Sequence, residues 1–511
     1  MSNKKLLLYV CIRLQLISFF LILSFVFPLS AETKALRIVV ESRPPAYGNP
    51  YTQAMPSIFH PLFPIFDALT YLGDSGEVLP KLALRYEMVD DFTWRFILRR
   101  DVFFSNGEAF DAFSYKANLD YLLSDSGKTT YAASLIPTIQ RVEVESQHVL
   151  LIYTNSRDPI LARRLSAVVA VAPIAWREYG GAGFGLSPVG SGPYKVVDWG
   201  DTDGIMKYEA YKGSWRGAPR IEHVRLLIQS DGAARSQALI SGQADVAMNL
   251  DIDEFNYLRS KDMVIHTFTT PVVGSLAFSN QDPLSPFSDP RVRLAFNYAV
   301  DREAIARFIY RGLVSPTGQG TIEGVYGHNP TIESFSYDPD RAIALLSDAG
   351  YGDGLKVEVR VSPGSPANNM MYQKVAQDLN AVGVDLDIQF VQGPRWLRMW
   401  FSGNWGEADL ISSAWSNTTF MDAARGLETY SCLRANAFFC DKKVADILGL
   451  AAKELNSDRR LELLHQAALE MHNSATVLYL FPQIQNLILS KSVKGIARVG
   501  NRVKMENLYL P

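Results

Sequence analysis

The chain has 511 residues, with 50 Lys and Arg against 53 Asp and Glu, and is 48% hydrophobic and 11% aromatic. That composition is globular and excludes a disordered or collagen-like chain. The formal net charge of −3 argues against a sequence-independent nucleic-acid binder, which needs a basic surplus to displace counterions. The length suits roughly three lobes at ~150 residues each.

Met1 to Lys5 is a short basic start, Leu14 to Phe27 is almost wholly apolar, and Pro28-Leu29-Ser30-Ala31 leads to Glu32. Such a pattern forms a secretory signal, so residues 1–31 are expected to be cleaved and the mature chain to be periplasmic. Cleavage after Ala31 removes Lys4, Lys5 and Arg13 and leaves 480 residues with net charge −6. The competing reading is an uncleaved anchor, because Leu6 to Phe27 nearly spans a bilayer if Arg13 and Gln15 are tolerated.

Residues 36–40, 92–98 and 222–229 are rich in β-branched and aromatic residues and read as strands. Residues 58–71 carry an amphipathic apolar pattern, and Ser105-Asn106-Gly107 is a turn. Asp289-Pro290 opens a helix with Val292, Ala295, Phe296 and Ala299 on one face. Asp301 caps a second helix carrying Ile305, Phe308 and Ile309 to Gly312. Asp338-Pro339 starts a third, with Ala342, Leu345, Leu346 and Ala349 inward and Gly350 at its end. Residues 458–472 form a fourth, with Leu461, Leu464, Ala468 and Met471 inward. Alternating strand and helix signals favour an α/β architecture. Cys432 and Cys440, the two cysteines left after cleavage, are expected to close one disulfide in an oxidising compartment; two buried thiols are the alternative.

Motifs for covalent chemistry are missing. None of the seven His sits in H-E-x-x-H or at zinc spacing with Cys, and no metal or other cofactor is expected. The glycine-rich stretch Gly180 to Gly185 does not fit G-x-G-x-x-G, and no G-x-S-x-G elbow is present. Carboxylates are plentiful, so a hydrolytic pair stays open.

Several blocks together resemble the extracytoplasmic solute-binding proteins, family 5, of peptide-type ABC importers. Trp94 to Phe110 is similar to that family's W-x-F-x-L-R-x-x-V-x-F-x-x-G-x-x-F stretch, and Val189-Gly190-Ser191-Gly192-Pro193-Tyr194 to its V-G-T-G-P-Y. Tyr211, Trp215 and Pro219 resemble a loosened Y-W-x-G-x-P, and Ala238-Leu239, Gly242 and Asp245 an A-L-x-x-G-x-x-D piece. Asp289 to Ala295 running on to Arg302, then Tyr337 to Tyr351, complete the series in order.

The resemblance implies a bilobal periplasmic-binding-protein fold: mixed-sheet lobes joined by a two-crossing hinge, with an additional α+β lobe. By analogy lobe I takes 32–75, 181–272 and 483–511, the extra lobe 76–180, and lobe III 273–482, with crossings near 271–275 and 480–484. The implied function is capture of a small solute, foremost a short peptide, by interlobe closure, and delivery by a monomer to membrane permease subunits. No enzyme activity is implied. A secreted hydrolase, and a sensory or chaperone-like binder on the same fold, are the alternatives.

In the peptide-binding members an Asp shortly after a Trp meets the ligand's amino end. Here Trp415 is followed by Asn417 and Thr418 in the acid's place. Where dipeptide binders carry an Arg for the ligand carboxylate, this chain has Ser362-Pro363-Gly364-Ser365. Both ionic anchors are thus missing by resemblance. Arg395, Trp396, Trp400 and Trp405 are further candidates for the cleft, as are Asn280 and, on the lobe I side, Tyr47, Asn49 and Tyr51.

Overall fold

The computed structural model describes residues 35–55, 60–433, 437–496, 498–499 and 502–511; the expected leader, residues 1–31, lies outside them. Leu36–Val40, almost wholly buried, runs parallel to His223–Ile228 on one side and to Val246–Met248 on the other. Ile205–Ala210 and Tyr194–Asp198 extend this half of the sheet by antiparallel pairing. In the other half Leu410–Ser416, Leu355–Val361 and Val384–Phe390 lie side by side.

Two long strands, Val264–Phe278 and Val477–Leu489, pass through both halves and pair with each other antiparallel. Their register breaks between Thr269 and Val273 and again between Val273 and Ser275, with Pro482 opposite Val273. Proline gives no N–H to a ladder and a bulge bends and twists its strand, so this is where the sheet changes direction. The break runs from Thr269 to Ser275 on one strand and from Tyr479 to Ile484 on the other.

A separate four-stranded antiparallel sheet holds Ala83–Asp90, Thr93–Leu98, Val149–Thr154 and Ile139–Ser146. Trp94, Phe96 and Leu98 alternate inward towards the helix Ala112–Leu123 and its neighbours. The turn at Ser105-Asn106-Gly107 is present, with Gly107 at φ +92°, a conformation only glycine adopts without strain. One large core joins this lobe to the first half of the main sheet, a second runs from Val39 and Ala247 of the first half into the second half, and a third fills the rest of the second half.

Caps at Asp289 and Asp338 start helices Pro290–Ala299 and Pro339–Asp348, and Ser457–Asn473 forms the last long helix. The helix expected after Asp301 is different: Arg302–Ala304 is one short turn, and Ile305–Ile309 widens into a π turn with Tyr310 N–H donating to the Ile305 carbonyl. The wider turn rotates Phe308 to solvent, where it is 72% exposed. Leu461 is only half buried. Residues 60–71 form no helix. Pro61 and Pro64 interrupt the pattern, and Thr70–Leu72 pairs as a strand with Val78–Pro80; residues 58–59 lie outside the described set.

A knot of charge braces the first half of the main sheet. The Asp67 carboxylate is fully buried and receives Ser191 Oγ at 2.8 Å, Trp215 Nε1 at 2.9 Å and Lys81 Nζ at 2.9 Å, with Arg216 Nε at 3.4 Å. Burial alone would push its carboxyl up; Arg216 and Lys81 reverse that and hold it well below the usual carboxylate range. Cys432 and Cys440 form a disulfide.

Candidate ligand-binding cleft

A cavity of about 560 Å³ lies against the two crossing strands, with walls from both halves of the main sheet. One wall is the loop that follows Val246–Met248. Asn249 sits there at φ +51°, a strained backbone for a residue other than glycine. Its geometry is held from both sides. Asn486 Oδ1 accepts from Leu250 N–H and Asn486 Nδ2 donates to the Leu250 carbonyl, both at 2.9 Å. The buried Arg235 guanidinium donates to the Met248 carbonyl at 3.1 Å and to the Asn249 carbonyl at 2.9 Å.

The opposite wall is the turn Ser362-Pro363-Gly364-Ser365 and the start of helix Pro366–Ala381. Ser362 N–H donates to Ser412 Oγ at 3.0 Å, and Tyr310 Oη donates to Asn368 Oδ1 at 2.9 Å. Burial, reinforced by Tyr372, pushes the Tyr310 phenol up, so it stays a neutral donor. Helix Gly393–Ser402 closes the side with Trp396, Leu397 and Trp400. Behind it Trp405 packs edge-on against both tryptophans, with ring centres 5.0 and 6.0 Å away.

Asp251 is the one ionisable acid or base, Tyr apart, on the described wall; no Lys, Arg or His lines it. Its carboxylate accepts from Asp253 N–H at 3.0 Å and so caps a short 3₁₀ turn. Among the described residues no group of three or more His, Cys, Asp or Glu is placed to hold a metal ion, and no helix is long and apolar enough to cross a membrane.

Of the residues singled out from the sequence, Trp396 and Trp400 line this cavity, and Trp405 packs behind them. Trp415 does not. It is fully buried, donates to Ser275 Oγ at 2.9 Å and packs against the Tyr430 ring, tilted 31°, with centres 4.3 Å apart. Asn417 is buried behind it, its amide donating to the Gly320 carbonyl at 2.8 Å, and Thr418 is buried beside Ser416. Arg395 is exposed on the far face of its helix, where a shallow concavity also holds Arg360 and Arg398. Asn280 braces the disulfide, accepting from Cys440 N–H at 2.9 Å and donating to its carbonyl at 3.1 Å. Tyr51 and Asn49 pack in the large core, with Asn49 Oδ1 taking Tyr51 N–H; Tyr47 packs edge-on against Trp199. Asn249, Tyr310, Ser412 and Asn486 line the cavity and were not singled out. The available signal was positional: Asn249 and Ser362 directly follow parallel strands of the sheet, the ends where α/β proteins hold ligands.

Residues 77–436 match the family described as bacterial extracellular solute-binding proteins, family 5. The chain belongs to this family. It is a solute-binding protein of the kind that serves ABC importers. It is 26% identical to the glutathione-binding protein GsiB of Salmonella choleraesuis over 428 residues, covering 79% of this chain and 80% of that one. Its fold superposes on the Listeria monocytogenes substrate-binding protein CtaP with a TM-score of 0.81 at 16% identity, covering 93% and 99% of the two chains. It also superposes on DppA of Helicobacter pylori in complex with peptide STSA, with a TM-score of 0.74 at 18% identity, covering 93% and 98%. These likenesses establish the bilobal α/β fold; they leave the ligand to be argued from the cleft.

Proposed function

We propose that the chain captures a short, peptide-like solute between its two halves. The observation that carries this reading is the cavity itself: a volume within the ~300–1,000 Å³ range of small-molecule sites, reached from both halves and lined by amide, hydroxyl and aromatic groups. A wall without basic side chains selects against a ligand of high negative charge. Asp251 is the acid available to an amino end, and the first turn of helix Pro366–Ala381 is the positive pole available to a carboxylate. Trp396 and Trp400 supply stacking surface. A carboxylate pair for hydrolysis has no second member on the described wall. The halves close by bending at the crossing strands, the leader is cleaved after Ala31, and the loaded monomer passes its solute unchanged to a permease from the periplasm.

Mass spectrometry of small molecules released on denaturing the purified native protein tests this. Intact di- to tetrapeptides or γ-linked peptides are expected. Synthetic versions should raise the melting temperature, since ligand at ~100 times its Kd adds ~2.7 kcal/mol. Release of a metal chelate or haem, or a melting temperature indifferent to peptides, would overturn the reading.

A further inference from the structure

Lobe III touches the extra lobe well away from the cavity, and the contact is ionic at its centre. Arg163, on the short helix Leu161–Arg164 of the extra lobe, is buried. Its Nη1 donates to the Phe420 carbonyl at 2.8 Å and the Met421 carbonyl at 3.1 Å, across more than 250 residues of sequence. Arg164 lies over the Phe420 ring, 5.3 Å from its centre. The next residue, Asp422, is fully buried and grips Arg460 of lobe III through two hydrogen bonds of 2.8 and 3.0 Å, with Arg163 Nε 4.0 Å away. Asp422 is thus satisfied from within its own lobe, and Arg163 is satisfied mainly by carbonyls of the other.

The gripped loop is not relaxed. Met421 has φ +50°, a left-handed conformation that costs a β-carbon-bearing residue energy unless its surroundings impose it. The loop continues directly from the strand Leu410–Ser416, whose Ser412, Ser413 and Ala414 line the cavity. Asn417 ties its root to the crossing strand, its N–H donating to the Pro271 carbonyl at 2.8 Å, and Met421 N–H turns back to the Asn417 carbonyl at 2.7 Å.

The apolar part of the contact is the Phe420 ring, buried among residues of the large core, and a small cluster at its edge that includes Leu72 from the lobe I side. Leu72, Val325 and Met421 form a cluster separate from the large cores, and an incompletely filled space of about 200 Å³ lies beside Arg163, Trp94 and Arg460. Guanidinium–carbonyl bonds exchange readily for bonds to water, and small polar contacts between domains are the kind that separate.

We infer that Arg163 is a positioning residue for solute capture: the extra lobe holds lobe III in the closed arrangement by clasping the 420–422 loop, and this clasp opens with the cleft. The inference rests on the clamp reading above. It gives the extra lobe a part in the binding cycle although it contributes no residue to the described cavity wall.

The test uses the whole mature protein without added ligand, as wild type, Arg163→Met and Arg163→Lys, with circular dichroism confirming that all three are folded. Small-angle scattering reads the separation of the lobes, and hydrogen exchange reads the amides of Tyr326, Met421 and Ala423, which are bonded in and around the loop. Arg163→Met is expected to enlarge the radius of gyration and to speed exchange at these three amides at least tenfold, leaving the strand Thr93–Leu98 protected as before. Arg163→Lys, which keeps the charge but loses the forked geometry, should fall between. Unchanged scattering and unchanged loop exchange in Arg163→Met would overturn the clasp. So would faster exchange spread evenly through the extra lobe, because Arg163 would then be a structural strut. If the native protein releases no peptide yet Arg163→Met opens the lobes, the clasp survives and the peptide reading falls. If peptides are released and Arg163→Met changes nothing, the clasp alone falls.

Discussion

Asp67 and the interlobe cleft are both polar regions inside the molecule, and they are satisfied in opposite ways. Around Asp67 full charges meet: Lys81 and Arg216 face one carboxylate, with Ser191 and Trp215 completing its hydrogen bonds. Around the cavity nearly every polar group is a neutral amide, hydroxyl or backbone unit. The first arrangement pairs its charges within the protein and fixes how segments distant in sequence meet. The second presents groups that a visiting molecule can satisfy. The difference teaches that heavily paired ionic groups in this chain mark the scaffold, and sparse neutral ones mark the site.

Asp67→Asn breaks the first half of that comparison and carries the largest expected effect. It leaves Lys81 and Arg216 buried without their shared counter-charge. Loss of one partner from a buried pair costs ~3–5 kcal/mol, read as a lower urea midpoint. The same carboxylate sets a pH dependence. Its folded pKa lies below the unfolded value, so its contribution is complete above about pH 4 and is lost as the medium is acidified further. The variant should show a flatter stability profile in acid. An unchanged midpoint in Asp67→Asn would mean the knot is incidental to folding.

Much of the scaffold was legible before the structure, and for the same reason. Ser191 and Trp215 belong to the blocks that resemble family 5, and both serve Asp67. Asp289 and Asp338 are caps, recognisable because an Asp before Pro satisfies a local rule. The leader cannot be weighed in this way, since it lies outside the described residues. The cleft was less legible. Trp415 looked like a ligand contact by resemblance, but sequence gives its neighbours in the chain and not Gly320, where an added β-carbon would come within 2.2 Å of the Trp415 ring. Asn249 and Asn486 meet across 237 positions of chain through a sheet pairing that local patterns do not encode. Phe308 was misplaced because a π turn shifts the helical phase that the spacing rule assumes.

Two tryptophans sharpen the second half of the comparison. Trp415→Ala removes a fully buried ring from a packed core and should cost ~3–5 kcal/mol of stability. Trp396→Ala removes a partly exposed ring from the cavity wall. It should leave the urea midpoint nearly unchanged and weaken binding of the released solute about tenfold, equivalent to ~1.4 kcal/mol, in a calorimetric titration. If Trp396→Ala lost stability while binding held, the helix Gly393–Ser402 would belong to the scaffold.

The smallest expected effect concerns an ion pair at the edge of the cleft. Arg311, beside Tyr310 on one wall, donates Nε at 3.0 Å and Nη2 at 2.5 Å to Asp253, which follows Asp251 and Ile252 of the opposite wall. Both side chains are about half exposed, at 48% and 49%. A pair so exposed is worth ~0.2–1 kcal/mol, against the several expected at Asp67 for the same kinds of charge. Arg311→Gln should therefore weaken solute binding by less than about fivefold. The difference should vanish near ~1 M salt, where the screening length falls to ~3 Å, and be clearest near ~0.01 M. A salt-independent loss of tenfold or more would place Arg311 among the groups that touch the solute, and the division between charged scaffold and neutral site would no longer hold at the cleft's edge.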